Sequence, residues 1–193
     1  HSVSFYTRLY GFVLIRIRIR KAPMNKIFSL VAFAALGLSS LSAHAVDLTA
    51  AIGQSSESTT VLRLGAQWDW DRSWMQSDVG RLTGYWDAGY TFWDGDETAS
   101  NHSISFSPVF VYEFAGDTVQ PYIEAGIGVA LFADTELEDN DLSTSFQFED
   151  RLGAGLRFSG QEVGIRAIHY SNAGIKQPND GVEAYTLHYR TRF

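Results

Sequence analysis

His169, Ser171 and Glu183 are the residue types of a serine hydrolase, held within one short stretch, Arg166 to Tyr185, that reads RAIHYSNAGIKQPNDGVEAY. A serine hydroxyl needs a base to take its proton, and the base needs an acid to fix its tautomer. His169 and Ser171 are two residues apart. On a β-strand both would point to one face, about 6–7 Å apart along the strand. Glu183 follows a turn-rich insert. If the two segments pair as an antiparallel hairpin, Glu183 returns beside His169 on the same surface and the nucleophile, base and orienting acid are complete.

The elements that must hold such a site are strands, because alternation of apolar and polar residues is the dominant pattern. Eight runs carry it: Val46–Gln54, Thr59–Trp70, Arg81–Trp93, His102–Phe114, Val119–Ala133, Ser143–Phe158, Glu162–Asn172 and Val182–Phe193. In the second, Leu62, Leu64, Ala66 and Trp68 oppose Arg63, Gly65, Gln67 and Asp69. In the fifth, Ile123, Ala125, Ile127 and Val129 oppose Tyr122, Glu124, Gly126 and Gly128. Pro108 in the fourth run has no N–H and predicts a bulge or a locally broken ladder. Asp150 falls on the apolar face of the sixth run, and nothing in the sequence accounts for it.

The face opposite the apolar stripe carries Arg63, Asp69, Arg81, Asp87, Glu113, Glu124, Glu149, Arg151, Arg157 and Arg166. Charges of both signs at one parity on successive strands suit the ion-paired interior of a closed barrel better than a sandwich whose apolar faces meet. The expected fold is therefore all-β, an eight-stranded antiparallel transmembrane β-barrel of the outer membrane, with a soluble barrel or sandwich as the alternative. Loop lengths agree if the N-terminus is periplasmic. The turns at 115–117 and 159–161 are then periplasmic and short, and 94–101, 134–142 and 173–181 face outward and are longer. The 71–80 segment is long for a periplasmic turn. The chain ends on the aromatic Phe193, as such barrels commonly do.

The chain has 193 residues, 45% of them hydrophobic, and no Cys, which excludes disulfides, zinc–thiolate sites and a Cys nucleophile. Residues 24–45 read as a secretory signal peptide: Lys26, an apolar Ile27–Leu38 core and an Ala43-His44-Ala45 cleavage site imply export after Ala45. Residues 1–23 read as an upstream extension outside the fold, although VLIRIRIRK alternates and a membrane-surface segment is the other reading. The expected mature chain keeps nine Lys and Arg against twenty-two Asp and Glu, a formal charge of −13 that argues against nucleic-acid binding.

Strand parity places the chemistry. Val163, Ile165, Ala167, His169 and Ser171 share one face, and Glu183 shares its face with Tyr185, Leu187, Tyr189 and Phe193. All three chemical residues are thus lipid-facing, where polar groups are costly and call for a purpose. The seventh run ascends from a periplasmic turn, so the site belongs at the outer-leaflet boundary, where an acyl chain stays in hydrocarbon while its ester reaches Ser171. The other reading is that the three are polar residues tolerated at a wet rim. His188 has inward parity. His102, two residues after Ser100, forms a rival dyad on a loop without a positioned acid.

RAIHYSNAGIKQPNDGVEAY, together with WDWDRSW, GRLTGYWDAGYTFW, VFVYEFAG and IEAGIGVA, resembles the lipid A 3-O-deacylase family of Gram-negative outer membranes over essentially all of 46–193. The resemblance implies hydrolysis of the ester that attaches the 3-position acyl chain of lipid A, with His169, Ser171 and Glu183 as triad. Residue chemistry and resemblance together suggest that Ser171 attacks, His169 transfers the proton and Glu183 fixes the imidazole. Asn172 and the backbone near Gly174 are the expected oxyanion-hole donors, although Asn172 has inward parity, and Lys176 is a substrate-binding residue for lipid A phosphate. The scheme calls for no cofactor and no metal, and the acidic loop 134–141 does not match a calcium loop. Expected partners are lipid A or lipopolysaccharide and the outer-membrane lipids, with a homodimer left open. The rival functions are a non-catalytic barrel for anchoring or adhesion, and an outer-membrane phospholipase.

Overall fold

A computed structural model describes residues 46–192. The expected signal segment 24–45, the extension 1–23 and Phe193 lie outside the described residues. In chain order the strands are β1 (Asp47–Ser55), β2 (Thr60–Asp69), β3 (Gly80–Asp94), β4 (Asn101–Phe114), β5 (Gln120–Phe132), β6 (Glu136–Leu137), β7 (Asn140–Asp141), β8 (Phe146–Phe158), β9 (Gln161–Ser171) and β10 (Val182–Thr191). All but β6 and β7 form one closed antiparallel barrel in which β1 pairs with both β2 and β10. Closure leaves no edge strand, so the barrel backbone is hydrogen-bonded internally, as a strand protein in hydrocarbon requires. β6 and β7 make a two-residue ladder inside the β5–β8 loop.

The period-2 alternation becomes an outer and an inner face. Ile52, Leu64, Phe106, Ile127, Leu152, Ile165 and Leu187 all point outward and are exposed, Ile127 at 69%. None of the described residues covers this band, which has the character of a lipid-contacting surface. Around Pro108 the β4–β5 register is the same on both sides, Phe106 opposite Val129 and Val109 opposite Gly126, while the intervening pairs are missing. The proline interrupts the ladder without inserting a bulge.

Inside, the expected charges find each other. Arg151 Nη2 donates to Asp87 Oδ2 at 2.8 Å and Glu149 Oε1 at 2.7 Å, and Arg63 also pairs with Asp87. Arg166 Nε reaches Glu124 Oε1 at 2.6 Å, and Tyr85 Oη donates to the other Glu124 oxygen at 2.6 Å. Arg157 Nε binds Glu162 Oε2 at 2.6 Å, and Arg190 Nε binds Asp47 Oδ2 at 2.8 Å. Inward glycines make room for these heads: a Cβ on Gly164 would lie 2.6 Å from both Tyr122 Oη and His188 Cε1.

The lumen is closed at the end away from the termini. Trp93, Phe132 and Tyr170 pack edge to face or tilted, with ring centroids 5.3–5.7 Å apart. Val61, Ala130, Ile168, Val182 and Ala184 join them, and Leu137 and Leu142 dip in from the β5–β8 loop, fully buried. That loop is also tied outward. The Glu138 carboxylate accepts the backbone N–H groups of Asp96, Glu97 and Thr98 at 2.6, 2.8 and 3.3 Å. At the terminal end the long 70–79 segment folds back along β3 through a Trp74–Leu82 bridge, and Trp70 lies edge-on to Trp74, Trp86 and Phe110. The length expected of 71–80 is thus used to build an aromatic patch.

Candidate active site

β9 and β10 are the hairpin that the residue spacing required. Their register sets Glu183 directly opposite His169, and His169 Nδ1 lies 2.9 Å from Glu183 Oε1. A carboxylate accepts only, so Nδ1 donates; in the neutral imidazole this tautomer leaves Nε2 as the acceptor, the form a general base needs. The two side chains are 41% and 40% exposed on the outer face of the barrel. Ser171, the last residue of β9, has the same outward parity. Its hydroxyl makes no hydrogen bond among the described residues.

The imidazole is fitted against backbone. Its Cε1–Nε2 edge lies over Gly181, where a Cβ would come within 3.1 Å of Cε1 and 3.0 Å of the Tyr170 carbonyl oxygen. Gly181 also has φ +69°, in the left-handed region. Glycine meets both demands at once. On the far side of Glu183 the β1–β2 turn closes in: Ser56 N–H donates to the Glu183 carbonyl at 2.9 Å, and Glu183 N–H donates to Ser56 Oγ at 3.2 Å.

The β9–β10 loop is organised by Asn172. Asn172 is fully buried; its Nδ2 donates to the carbonyls of Leu142 and Lys176, both at 3.0 Å, and its own N–H donates to Asn179 Oδ1 at 2.9 Å. Both side-chain N–H groups and the backbone N–H are thus engaged within the loops, and to serve as an oxyanion donor Asn172 has to exchange one of these bonds. Gly174, at φ +77°, is exposed, and its N–H has no partner among the described residues. Lys176 extends one N–H to the Ser143 carbonyl at 3.1 Å, tying this loop to the β5–β8 loop, and keeps two others.

The remaining histidines separate cleanly. His188 is buried, 2.9 Å from Tyr122 Oη and 3.0 Å from Glu162 Oε1. His102 shares a 2.6 Å hydrogen bond with Tyr90 Oη and stacks on that ring, so the rival dyad with Ser100 is spent on an aromatic contact. The residue that sequence reasoning left without a role is Asp150. β8 register sets it directly opposite His169, on the side away from Glu183, and a groove on the barrel exterior runs past all three. Its signal was visible as the single acid at apolar parity in its run.

Residues 60–192 match the family model described as lipid A 3-O-deacylase (PagL). The chain is 59% identical over 170 residues to the lipid A deacylase PagL of Pseudomonas aeruginosa, an alignment covering 86% of this chain and 98% of that protein. It is 36% identical over 118 residues to the lipid A deacylase PagL of Bordetella bronchiseptica, covering 59% of this chain and 65% of the relative. The crystal structure of the outer membrane enzyme PagL superposes with a TM-score of 0.73 at 60% identity, covering 76% of this chain and 99% of that one. By its barrel, its match over the larger part of its length and its identity to these relatives, the chain belongs to the lipid A 3-O-deacylase (PagL) family.

Proposed function

We propose that this chain is an outer-membrane serine esterase that removes the acyl chain at the 3-position of lipid A, and that the end bearing the β9–β10 loop faces the cell exterior. The observation that carries the reading is the His169 Nδ1–Glu183 Oε1 hydrogen bond on the outer face of the barrel, one strand row from Ser171. The names of the relatives above supply the substrate class. A lipid ester can approach this face laterally, its acyl chain remaining among other acyl chains.

In the proposed reaction Ser171 Oγ attacks the acyl carbonyl while His169 Nε2 takes its proton. His169 then protonates the departing glucosamine oxygen, leaving an acyl-Ser171 that water hydrolyses with the same imidazole as base. Glu183 holds the imidazole tautomer and stabilises the imidazolium. The free N–H of Gly174 is the oxyanion donor this reading retains, since glycine lets the backbone approach the reacting carbonyl. The two unengaged N–H groups of Lys176 suit a lipid A phosphate.

The test is mass spectrometry of lipid A from cells expressing the wild type or Ser171→Ala. Loss of one ester-linked chain with the wild type, absent with the variant, is expected. Unchanged lipid A with a folded wild-type barrel would sink the proposal in favour of an anchoring or adhesive barrel. Release of fatty acid from glycerophospholipid with lipid A intact would make it a phospholipase.

A further inference from the structure

β1 and β10, the first and last strands of the barrel, meet along the seam that closes it, from Leu48 opposite Thr191 to Ser55 opposite Ala184. One more rung lies beyond Ser55. Ser56 N–H donates to the Glu183 carbonyl at 2.9 Å, and Glu183 N–H donates to Ser56 Oγ at 3.2 Å. In the second bond a side-chain oxygen stands where a regular antiparallel rung would use a carbonyl. The rung therefore depends on the residue type at position 56, although Ser56 is exposed and belongs to no core.

On a strand the N–H and C=O of one residue point to the same side, and both of those on Glu183 point to Ser56. Facing β9, Glu183 thus forms with His169 the kind of pair that exchanges no main-chain hydrogen bonds, in which Cα atoms approach to about 4.5 Å and side chains lie close. That closeness lets the carboxylate reach Nδ1 at 2.9 Å. At Glu183 itself the main chain is held from the other side, by Ser56. The turn that carries Ser56 is fixed in its own right. Ser55 Oγ accepts the N–H groups of Glu57 and Thr59, both at 3.1 Å. With both lone pairs engaged, its O–H donates to Thr59 Oγ1 at 2.6 Å. Ser55 and Thr59 are both buried.

We propose that Ser56 is a positioning residue for the ester hydrolysis: its hydroxyl sets the Glu183 backbone across the barrel seam, so that the carboxylate stays on Nδ1 while the imidazole takes and returns its proton. The inference rests on the esterase reading of Ser171, His169 and Glu183. The β1–β2 turn, far from the β9–β10 hairpin in sequence, then supplies the alignment that the hairpin lacks at its acid. A loosened Glu183 leaves substrate contacts untouched, so kcat falls while KM holds.

The experiment uses the purified barrel in detergent micelles and a synthetic 3-O-acyl glucosamine lipid, with kcat and KM measured separately. Ser56→Ala should lower kcat by about 5- to 20-fold with KM little changed, and Ser56→Thr, which keeps a hydroxyl, should stay within about twofold of the wild type. In a Glu183→Ala background the same serine change should cost nothing further, because no carboxylate is left to position. Ser56→Gly, which also lacks the hydroxyl, takes the place of the alanine variant if that fails to fold, which gel migration of unheated against heated samples reports. An unchanged kcat in Ser56→Ala, a rise in KM alone, or an equal loss with and without the Glu183 carboxylate would overturn the positioning role. Wild-type turnover by Ser171→Ala would instead overturn the esterase reading, a result distinct from these.

Discussion

In the proposed reaction His169 divides its two ring nitrogens between two tasks, and the Nδ1 hydrogen bond to Glu183 enforces the division. Replacing Glu183 by Gln offers Nδ1 an amide that can donate as well as accept, so the wrong tautomer becomes accessible. In a triad of this type that change lowers kcat by up to about 10⁴-fold. We expect Glu183→Gln to lose between about 10² and 10⁴ in kcat with KM little changed, measured on a soluble ester substrate. The His169–Glu183 pairing was legible from spacing because both residues lie within one hairpin, where period 2 and register determine which side chains meet. The inward hydrogen bonds of Asn172 were not legible, for the opposite reason. Its decisive partner, the Leu142 carbonyl, belongs to a different loop thirty residues away, and no local pattern announces it.

At the scale of elements, the hairpin acts as a rigid mount whose loop is locked on several sides. Asn140 Nδ2 donates to the Gly181 carbonyl at 2.7 Å, and Asp141 N–H donates to Asp180 Oδ2 at 3.0 Å, so the β5–β8 and β9–β10 loops are tied to each other. Gly181→Ala places a side chain at φ +69° and against the imidazole, with a backbone cost of about 1–2 kcal/mol. A barrel that still folds but turns over at least tenfold more slowly is the expected outcome, followed by circular dichroism and ester hydrolysis. Asn172→Ala should leave the strands intact and expose 173–180 to protease; equal resistance in wild type and variant would contradict its role as the loop's hub. Strand positions were readable to within a few residues because alternation is uninterrupted. The exception is the start of β8: the sequence alternates from Ser143, but Ser143 adopts φ +60° and Gln147 Nε2 binds the Thr144 carbonyl at 2.5 Å, holding the chain in a loop until Phe146.

For the whole molecule, stability rests on two surfaces of opposite character, an apolar exterior that only lipid can cover and an interior whose charges must all be matched. Arg151 and its partners Asp87 and Glu149 are fully buried. Arg151→Leu leaves Glu149 without an ion-pair partner among the described residues and Asp87 with Arg63 alone, and should destabilise the barrel by about 3–5 kcal/mol, read from urea unfolding in lipid vesicles. Adding Glu149→Gln should return part of that loss. The same interior determines how the protein behaves electrically. Among the described residues Trp93, Phe132, Tyr170, Leu137 and Leu142 cap the ion-paired lumen, an arrangement that opposes passage of ions. Planar bilayers containing the barrel should show no unit conductance steps at any holding voltage, so a cell could carry many copies without short-circuiting its outer permeability barrier.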